Sequence, residues 1–464
     1  MRRIGKYEIR GLLGRGGMGK VYKARLPVLG KIVALKVLDP WELTGELLGP
    51  EAVDNLFRQE ARTLAGLRHP HLAEILDFDT DAKGRPFFTQ EFYCRHLGVV
   101  LGERVAEKPA ARVLPPERAV RYTLETAAAL KRLHAAGIVH RDIKPANILL
   151  DDHDQVKLID LGLSLLPGQA PVFPRQFKVG TPQYAAPEQE RDPGAVAPSA
   201  DLYSLGVCLW RMLTAFFPQS GRAQAVPPGQ VRPALGECWD RVLSKAVAAT
   251  PEERYQDTAA FCADLEEALD CWRRKQATFC TLSEAAAEVV NAGKVTNPRS
   301  QAMKISRDQA QAAFGLDPKG RPAWYPEQSF EVGAVQGQIR DSLRGLVWEQ
   351  SGSVYPLTRR ESGVYVRSKN AARRGGEPKW RLPTVDELLT LIVPPDSARE
   401  MCQSPLFDAA RCQLWSGDWR TKTEGWYVDT ELGFVAAQDT GCRSFVRLVR
   451  NAAQAPSGDR EGTA

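Results

Sequence analysis

Hydrophobic and polar positions follow a strand-like pattern along the first forty residues. Apolar side chains fall in three short runs, at Tyr7 and Ile9, at Val21, and from Ile32 to Val37, and glycines separate the runs. Alternation with a period near two, broken by glycine, is typical of antiparallel strands joined by tight turns. The pattern therefore predicts a small β-sheet whose first turn is rich in glycine.

The pattern then changes to a helical period. Apolar residues are spaced three or four apart from Asn55 to Leu67, and again from Pro116 to His134, from Asp201 to Thr214 and from Trp239 to Trp272. One short strand, Phe87 to Phe92, separates the first helix from the others. The sequence predicts a β-rich part that carries one helix, followed by a larger helical part.

The composition changes again near residue 324. Six of the ten tryptophans lie in the last 141 residues, among many glycines and short apolar pairs, which predicts a separate domain over 324–453. Residues 273–323 are polar and rich in alanine, and we interpret them as a linker with some helix. The polar residues 454–464 are expected to form a disordered tail.

Charge and cysteine content limit the possible partners and compartments. The 62 basic and 56 acidic residues leave a formal charge of only +6, so no nucleic-acid binding is expected. No apolar run approaches the roughly 18 residues that span a bilayer, which predicts no membrane insertion and a cytoplasmic location. The nine cysteines are scattered without a C-x-x-C pair, so we expect free thiols rather than zinc ligands or a disulfide framework.

A glycine-rich turn, Gly14 to Val21, lies between two predicted strands. Glycines allow the backbone to approach phosphate groups closely. Gly14, Gly19 and Lys20 also nearly match the phosphate loop of nucleoside triphosphatases. Val21 stands where that loop needs a magnesium-binding hydroxyl, and a strand rather than a helix is predicted to follow. A valine at this position suits a hydrophobic lid over an adenine ring.

Lys36 lies in the next strand, within Val33-Ala34-Leu35-Lys36, and Glu60 follows 24 residues later in the first predicted helix. Taken alone, such a pair is more often a solvated surface ion pair. After a glycine-rich turn, the same order favours a lysine that binds the α- and β-phosphates of ATP while a carboxylate holds it in place.

The most specific string runs from His140 to Asn147 as His-Arg-Asp-Ile-Lys-Pro-Ala-Asn. Such a loop places Asp142 at a substrate hydroxyl, Lys144 at the transferred phosphoryl group and Asn147 on a metal ion. Thirteen residues after Asn147, Asp160 begins an Asp-Leu-Gly string. A carboxylate there binds Mg²⁺ that bridges the phosphates.

With the string Gly-Thr-Pro-Gln-Tyr-Ala-Ala-Pro-Glu at 180–188, these motifs resemble the catalytic domain of bacterial eukaryotic-type (Hanks-type) serine/threonine protein kinases. The resemblance covers about residues 5–272. It implies an α+β, bilobal protein kinase fold, with a small β-rich N-lobe at about 5–92 and a larger helical C-lobe at about 93–272. It also implies ATP and Mg²⁺ as cofactors, protein substrates with serine or threonine acceptors, and a role in signal transduction.

The resemblance also implies roles for single residues. Glu91 and Tyr93 fall in the hinge that holds adenine, and Gln90 matches the gatekeeper. The implied catalytic residues are Asp142, Lys144, Lys36 and Glu60, and the implied metal ligands are Asn147 and Asp160. The implied ATP-binding residues are Leu13, Gly14, Gly16, Gly17, Gly19, Val21, Ala34, Lys36, Glu91 and Tyr93. Asp201 resembles the carboxylate that supports the catalytic loop, and Arg254 resembles the partner of Glu188.

The activation segment departs from the family pattern. Leu161 replaces the usual phenylalanine after Asp160, and Ser164 is the only hydroxyl side chain between residues 162 and 180. The sequence thus offers Arg141 no obvious phosphorylated partner. We expect a kinase that does not depend on activation-loop phosphorylation, with Phe173, Phe177 and the prolines at 167, 171 and 174 ordering the loop instead.

The last third of the chain resembles a second family. The strings at 345–350, 380–388, 414–416, 425–428 and 446–450 match the order found in Lcl C-terminal domains, whose fold is related to C-type lectins and formylglycine-generating enzymes. The resemblance covers about residues 328–450 and implies a loop-rich α+β domain. Thr384 and Glu387 form a capping-box pattern, which predicts a short helix from Val385 to Ile392.

Three functions remain open for this domain: ligand sensing, protein binding, or oxidation of a cysteine. Trp415, Trp419 and Trp426 suit either a recognition surface or, more often, a core. The spread of Cys402, Cys412 and Cys442 disfavours an oxidase, so a binding module for an unknown ligand or protein is the preferred interpretation. For the whole chain, the alternatives to an active kinase are an ATP-binding scaffold and a C-terminal domain that the kinase regulates.

Overall fold

The computed structural model describes residues 2–103, 112–161, 164, 180–192, 196–218, 226–280, 297–372, 378–394 and 405–452. The chain forms two compact units, 1–285 and 286–464. The predictions for Gly162, for the loop residues 165–179, for Cys402 and for the tail at 454–464 lie outside the described residues.

The first unit begins with a six-stranded antiparallel sheet, in the order β1-β2-β3-β4-β6-β5. Its strands are β1 (Arg3–Ile4), β2 (Tyr7–Arg15), β3 (Gly19–Arg25), β4 (Ile32–Leu38), β5 (Ile75–Thr80) and β6 (Pro86–Glu91). Alternate side chains of β3 and β4, including Tyr22, Val33, Leu35 and Val37, form a buried apolar cluster. The period-two pattern of the sequence thus predicts the buried face correctly.

Helices α1 (Glu42–Leu48) and α2 (Pro50–Gly66) follow β4. Val53, Phe57, Ala61 and Leu64 are spaced three or four apart in α2 and are buried together with Glu60, because one stripe of the helix faces the protein interior. Phe57 packs on Phe88 of β6, with ring centroids 5.2 Å apart. This packing fixes the position of Glu60 relative to the sheet.

The rest of the first unit is mainly helical. Its helices are α3 (Leu97–Leu101), α4 (Pro116–Ala135), α5 (Pro187–Arg191), α6 (Pro198–Thr214), α7 (Pro228–Val231), α8 (Asp240–Ala246) and α9 (Thr258–Cys280). Helix α6 is apolar on nearly every side and is buried from Ser199 to Thr214, as expected for a central helix. The run predicted from Trp239 to Trp272 is two helices, since the segment between them contains a 3-10 turn at Pro251–Glu253.

A small sheet, β7-β8-β9, lies at the start of this helical part. Its strands are β7 (Arg95–His96), β8 (Ile148–Leu150) and β9 (Val156–Leu158), and a 3-10 turn at Pro145–Asn147 leads into β8. The most specific string of the sequence therefore lies on a loop that a rigid hairpin supports. The predicted bilobal architecture, β-rich first and helical second, is confirmed.

The second unit is rich in short strands. It contains α10 (Arg307–Ala313), β10 (Phe330–Val332), β11 (Gln338–Asp341), β12 (Leu346–Glu349), β13 (Leu357–Thr358), α11 (Arg359–Ala371), α12 (Val385–Leu389), β14 (Gln413–Trp419), β15 (Glu424–Asp429), β16 (Phe434–Asp439), β17 (Arg443–Ser444) and β18 (Val449–Asn451). They form the sheets β10-β11-β12-β18, β14-β15-β16 and β13-β17. The predicted capping box at Thr384 is present, and the helix that it begins ends at Leu389, not at Ile392.

The tryptophans predicted as either core or surface divide between the two roles. Trp415 and Trp426 are buried, whereas Trp419 is 37% exposed. The guanidinium carbon of Arg359 lies 4.7 Å from the Trp419 ring centroid. Two of the three rings therefore belong to the core, and the third offers a partly open aromatic face.

The core of the second unit begins well before residue 324, which differs from the predicted linker at 273–323. Ile305, Phe314 and Leu316 are buried in the same apolar cluster as Trp426. Phe314 packs edge-on against Trp426, with ring centroids 5.3 Å apart. The indole nitrogen of Trp426 donates to the carbonyl of Ile305 (3.0 Å). Residues 297–323 are therefore part of this unit, and α9 carries the first unit to residue 280.

A buried ion pair strengthens this connection. Arg299 Nη1 lies 2.7 Å from Oδ1 of Asp418, whose side chain is fully buried. The same carboxylate accepts hydrogen bonds from the backbone N–H groups of Met303 (2.7 Å) and Val385 (2.8 Å). Removal of Arg299 would leave a buried carboxylate without its cation, which is strongly destabilising.

We therefore expect a fragment of residues 297–452 to fold and a fragment of residues 324–452 to fail. The shorter fragment lacks the buried side chains of Ile305, Phe314 and Leu316. Loss of one buried phenylalanine already costs about 3–5 kcal/mol, against a typical total stability of about 5–15 kcal/mol. Thermal melting followed by circular dichroism measures the difference. Equal, cooperative melting of both fragments would contradict the longer boundary.

The prediction that the cysteines are free thiols is wrong for several of them. Cys238 and Cys271 form a disulfide with an S–S distance of 2.07 Å. Cys94 takes part in a disulfide too, and so, in the second unit, does Cys442. Cys238 lies in a 3-10 turn and Cys271 lies on α9. The bond joins residues 33 positions apart, so no short-range spacing of cysteines in the sequence predicts it. Cys208, Cys262 and Cys412 are free thiols.

Within the parts of the chain that the structure describes, none of the helices combines the length and the apolarity that crossing a bilayer requires.

Candidate active site

The glycine-rich turn connects β2 and β3. The element that follows it is strand β3 and not a helix, so the alternative phosphate-loop interpretation is wrong. The backbone N–H of Gly16 donates to the carbonyl of Gly19 (2.8 Å) and closes the turn. A Cβ atom on Gly19 would collide with the carbonyl oxygen of Val37. Glycine at this position therefore permits the close approach of β3 to β4.

Lys36 of β4 contacts two carboxylates at once. Its Nζ donates to Oε1 and Oε2 of Glu60 (2.8 and 2.9 Å) and to Oδ1 of Asp160 (2.8 Å). Burial lowers the pKa of Lys36, but the attraction of Asp160 and then of Glu60 outweighs burial and raises the pKa above the ordinary lysine value. Lys36 is therefore a fixed cation, and its position depends on α2 because Glu60 lies on that helix.

Asp201, at the start of α6, holds the catalytic loop, residues 140–147, through hydrogen bonds. Its carboxylate accepts hydrogen bonds from the backbone N–H groups of His140 and Arg141 (both 2.8 Å), and Nε2 of His134 lies 2.9 Å from Oδ2. Arg141 has a φ of 65°, which a residue other than glycine rarely adopts. The contacts with a fully buried aspartate hold the loop in this strained conformation.

The carboxylate of Asp142 is oriented by three side chains. Oδ1 accepts a hydrogen bond from the hydroxyl of Thr181 (2.7 Å). Oδ2 lies 2.7 Å from Nζ of Lys144 and accepts from Nδ2 of Asn147 (3.0 Å). Lys144 also donates to the Thr181 hydroxyl (2.8 Å). The predicted residues Asp142, Lys144 and Asn147 are thus brought together, with Thr181 as the fourth member.

The segment that carries Thr181 is fixed by its neighbours. Gly180 has a φ of 98°, and a Cβ atom there would collide with the side-chain amide of Gln189. Nε2 of Gln189 donates to the carbonyl of Arg141 (2.6 Å). Further along, Arg254 pairs with both carboxylate oxygens of Glu188 (2.7 and 2.8 Å). These contacts join the segment to the catalytic loop and to the helical part.

The predicted adenine-binding residues lie where β4 pairs with β6. In that ladder Ala34 is opposite Gln90, and Nε2 of Gln90 is buried with no hydrogen-bond partner among the described residues. Glu91 ends β6, and the hydroxyl of Tyr93 donates to its carboxylate (3.5 Å). Leu13 lies on β2, where it is exposed, and Val21 lies on β3.

Sequence reasoning missed three contributors to this site. Gln189 donates to the carbonyl of Arg141 in the catalytic loop, and His134 contacts Asp201, the aspartate that holds this loop. Glu103, just after α3, accepts a hydrogen bond from the hydroxyl of Tyr184 (2.6 Å). No motif marks any of them, because each acts through a contact that tertiary packing creates.

Comparison with known proteins agrees with this geometry. Residues 7–233 match the protein kinase domain family, and residues 337–450 match the Lcl C-terminal domain family. The chain is 31% identical over 349 residues to serine/threonine-protein kinase pkn3 of Myxococcus xanthus, which covers 70% of this chain and 59% of that protein. It is 34% identical over 276 residues to serine/threonine-protein kinase PknB of Mycobacterium leprae, covering 56% of this chain and 42% of that protein.

A solved structure is also similar. The crystal structure of the Mycobacterium tuberculosis PknI kinase domain is 25% identical, with a TM-score of 0.43, and covers 57% of this chain and 97% of that domain. The matched part of the present chain spans about half the length of the curated relatives, 59% and 42% in the two cases given.

Proposed function

Because residues 7–233 of this chain belong to the protein kinase family, we propose that the protein transfers the γ-phosphoryl group of Mg-ATP to serine or threonine hydroxyls of protein substrates. Residues 337–450 belong to the Lcl C-terminal domain family. The observation that carries the proposal is the arrangement around Asp142. One carboxylate, one lysine, one amide and one threonine hydroxyl converge there within hydrogen-bonding distance. Such convergence is what a phosphoryl-transfer site needs.

Asp142 is proposed to accept the proton of the attacking hydroxyl. The carboxylate of Asp142 has little freedom to rotate, because Thr181 binds Oδ1 while Lys144 and Asn147 contact Oδ2. Lys144, one hydrogen bond from the carboxylate, supplies positive charge where the transferred phosphoryl group accumulates negative charge. A preoriented base and cation need no reorganisation during the reaction.

Lys36 is proposed to bind the α- and β-phosphates. The cation is held by Glu60 and Asp160 at 2.8 Å each, which places it between α2 and the Asp-Leu-Gly string that follows β9. Movement of α2 would withdraw Glu60 and release Lys36. The position of this helix is therefore the proposed conformational control of the site.

The donor set suits nucleotide and magnesium. Gln90 has a buried amide nitrogen without a partner among the described residues, next to Ala34 in the predicted adenine site. Asn147 uses Nδ2 for both of its hydrogen bonds to Asp142, so its amide oxygen is available for a cation together with the carboxylate of Asp160. Oxygen donors of this kind are those that Mg²⁺ prefers. When bound, the metal neutralises phosphate charge during transfer.

The kinase domain is proposed to extend over about 5–280 and the second module over 297–452.

We propose that the second module targets the kinase to a protein partner. A cavity beside Trp324, Phe314 and Leu389 in the described part of this module has a volume of about 240 Å³, below the roughly 300–1,000 Å³ of most small-molecule sites. A cavity of this size suits one side chain of a partner better than a whole metabolite.

The test of the kinase proposal uses the full chain, ATP labelled at the γ-phosphate and histone as a basic acceptor. We expect label on serine and threonine when the phosphorylated amino acids are separated. Chelation of Mg²⁺ with EDTA should abolish incorporation, and excess Mg²⁺ should restore it, because the phosphates need the cation. Absence of label with Mg²⁺ present, or label on tyrosine alone, would contradict the proposal.

A further inference from the structure

A polar cluster with two buried members and one partly exposed member lies beside the proposed acceptor site. Its members are Glu103, just after α3, Tyr184, in the segment that follows Thr181, and Arg211, on α6. The hydroxyl of Tyr184 donates to Oε1 of Glu103 (2.6 Å), and Nη2 of Arg211 lies 2.9 Å from the same oxygen. The cluster therefore ties three elements to a single carboxylate.

Two of its three members are buried, while the side chain of Glu103 is 22% exposed. Arg211 is 1% exposed and Tyr184 is 6% exposed. The guanidinium carbon of Arg211 lies 3.9 Å from the centroid of the Phe217 ring, and Tyr184 packs edge-on against the same ring with centroids 5.2 Å apart. A buried guanidinium needs a carboxylate partner, so Arg211 holds Glu103 in place and Glu103 in turn holds Tyr184.

Tyr184 is connected to the catalytic carboxylate through Thr181. The backbone N–H groups of Tyr184 and Ala185 both donate to the carbonyl of Thr181 (3.1 and 3.0 Å). The side chain of Thr181 donates to Asp142 (2.7 Å). A displacement of the Tyr184 ring therefore shifts the tight turn that positions Thr181 and, through it, the acceptor side of Asp142.

The sequence offers no phosphorylation site to hold this segment instead. Ser164 is the only hydroxyl between residues 162 and 180, and its Oγ donates to the carbonyl of Leu161 within its own turn (2.7 Å). The permanent charge pair between Glu103 and Arg211 is available at all times, whereas a phosphate must first be added.

We propose that Glu103 is a positioning residue for the acceptor: held by Arg211, it fixes Tyr184 and so keeps the segment from Gly180 to Pro187 in its substrate-binding conformation without phosphorylation. The inference rests on the proposed kinase function and extends it to the regulation of the same site. The acceptor site is therefore preformed in the purified, unphosphorylated protein.

The test compares Tyr184→Phe and Glu103→Gln in the full chain. Tyr184→Phe removes the hydrogen bond to the carboxylate, and Glu103→Gln replaces the charged acceptor beside Arg211 with a neutral amide. Loss of a charge-assisted hydrogen bond is enough for a fall of about tenfold in kcat/KM for histone. The KM for ATP should change less than about twofold, because among the described residues the hydrogen bonds and ion pairs given above for Glu103, Tyr184 and Arg211 do not reach the proposed nucleotide site. Combining the two substitutions should cost little more than Glu103→Gln alone, since both act through one carboxylate.

Tyr255→Phe is the matched control. It removes another tyrosine-to-carboxylate hydrogen bond in the same unit, to Asp264 at 2.8 Å, and among the described residues neither Tyr255 nor Asp264 has a hydrogen bond to the segment from Gly180 to Pro187. It should lower the melting temperature about as much as Tyr184→Phe and leave histone kinetics at the wild-type level. Unchanged histone kinetics in Tyr184→Phe, or an equal loss of ATP affinity, would overturn the inference. An inactive wild-type protein would instead overturn the kinase proposal on which it rests.

Discussion

Replacement of Lys36 by methionine is expected to reduce phosphoryl transfer at least about a hundredfold, the scale found when one preorganised electrostatic contact is removed from an active site. Methionine is unbranched and only one atom shorter than lysine, but it cannot bind phosphate or pair with Glu60 and Asp160. The loss should appear in kcat/KM measured with histone and varied ATP.

The fold should survive this substitution. Lys36→Met leaves Glu60 buried without its cation, which alone would be costly. Burial raises the pKa of Glu60 to about 7 even with the lysine present, so the carboxyl group can take up a proton near neutral pH. We expect a cooperative melt at a modestly lower temperature. The contribution of Glu60 to the stability of the variant should be most favourable below the ordinary glutamate pKa of about 4.3 and should fall as the pH rises toward the raised pKa of the folded state.

Lys31→Met serves as the control. Lys31 lies just before β4, is half exposed and approaches Glu91 only to 3.8 Å. Exposed ion pairs of this kind contribute little, so this variant should retain wild-type activity and stability. Full activity of a folded Lys36→Met protein would contradict the role proposed for the lysine.

Replacement of Asp142 by asparagine is expected to lower kcat at least about a thousandfold, because it removes the proposed base and part of the electrostatic preorganisation together. The amide has almost the same shape, so Thr181 and Asn147 keep a neighbour of the same size. The affinity for Mg-ATP should stay within about threefold, since Lys36 and Asp160 still hold the phosphates and metal.

Two measurements separate chemistry from binding in this variant. Calorimetric titration with ATP and Mg²⁺ reports the affinity, and single-turnover transfer to histone reports the chemical step. Retained binding with lost transfer is the expected result. A parallel loss of both would show that Asp142 supports the nucleotide site and not the reaction.

The predictable part of the site is the part encoded locally. The loop from His140 to Asn147 places its carboxylate, lysine and amide within eight residues, so their proximity follows from the short connection alone. The sheet that carries Lys36 and the helix that carries Glu60 can also be predicted from the period of the apolar residues in the sequence. Periods of two and of three to four separate strands from helices because they match the faces that each element buries.

The unpredictable part depends on packing between distant segments. Helix α10 has only seven residues, too few for a helical period to distinguish a core element from a linker. Its buried residues, Ala310 and the following Phe314, show their role only beside Trp426. The Cys238–Cys271 disulfide and the contact of Glu103 with Tyr184 are also long-range, across 33 and 81 positions. None of these follows from spacing.

The central claim is that this chain phosphorylates serine and threonine in proteins through Asp142. The most direct measurement is quantitative phosphoproteomics of cells that carry, at equal levels, either the wild-type chain or Asp142→Asn. We predict a set of phosphoserine and phosphothreonine sites that disappear in the variant, with phosphotyrosine unchanged, and the same sites should be rephosphorylated by the purified wild-type protein with Mg-ATP. Identical phosphoproteomes in the two strains would contradict the claim.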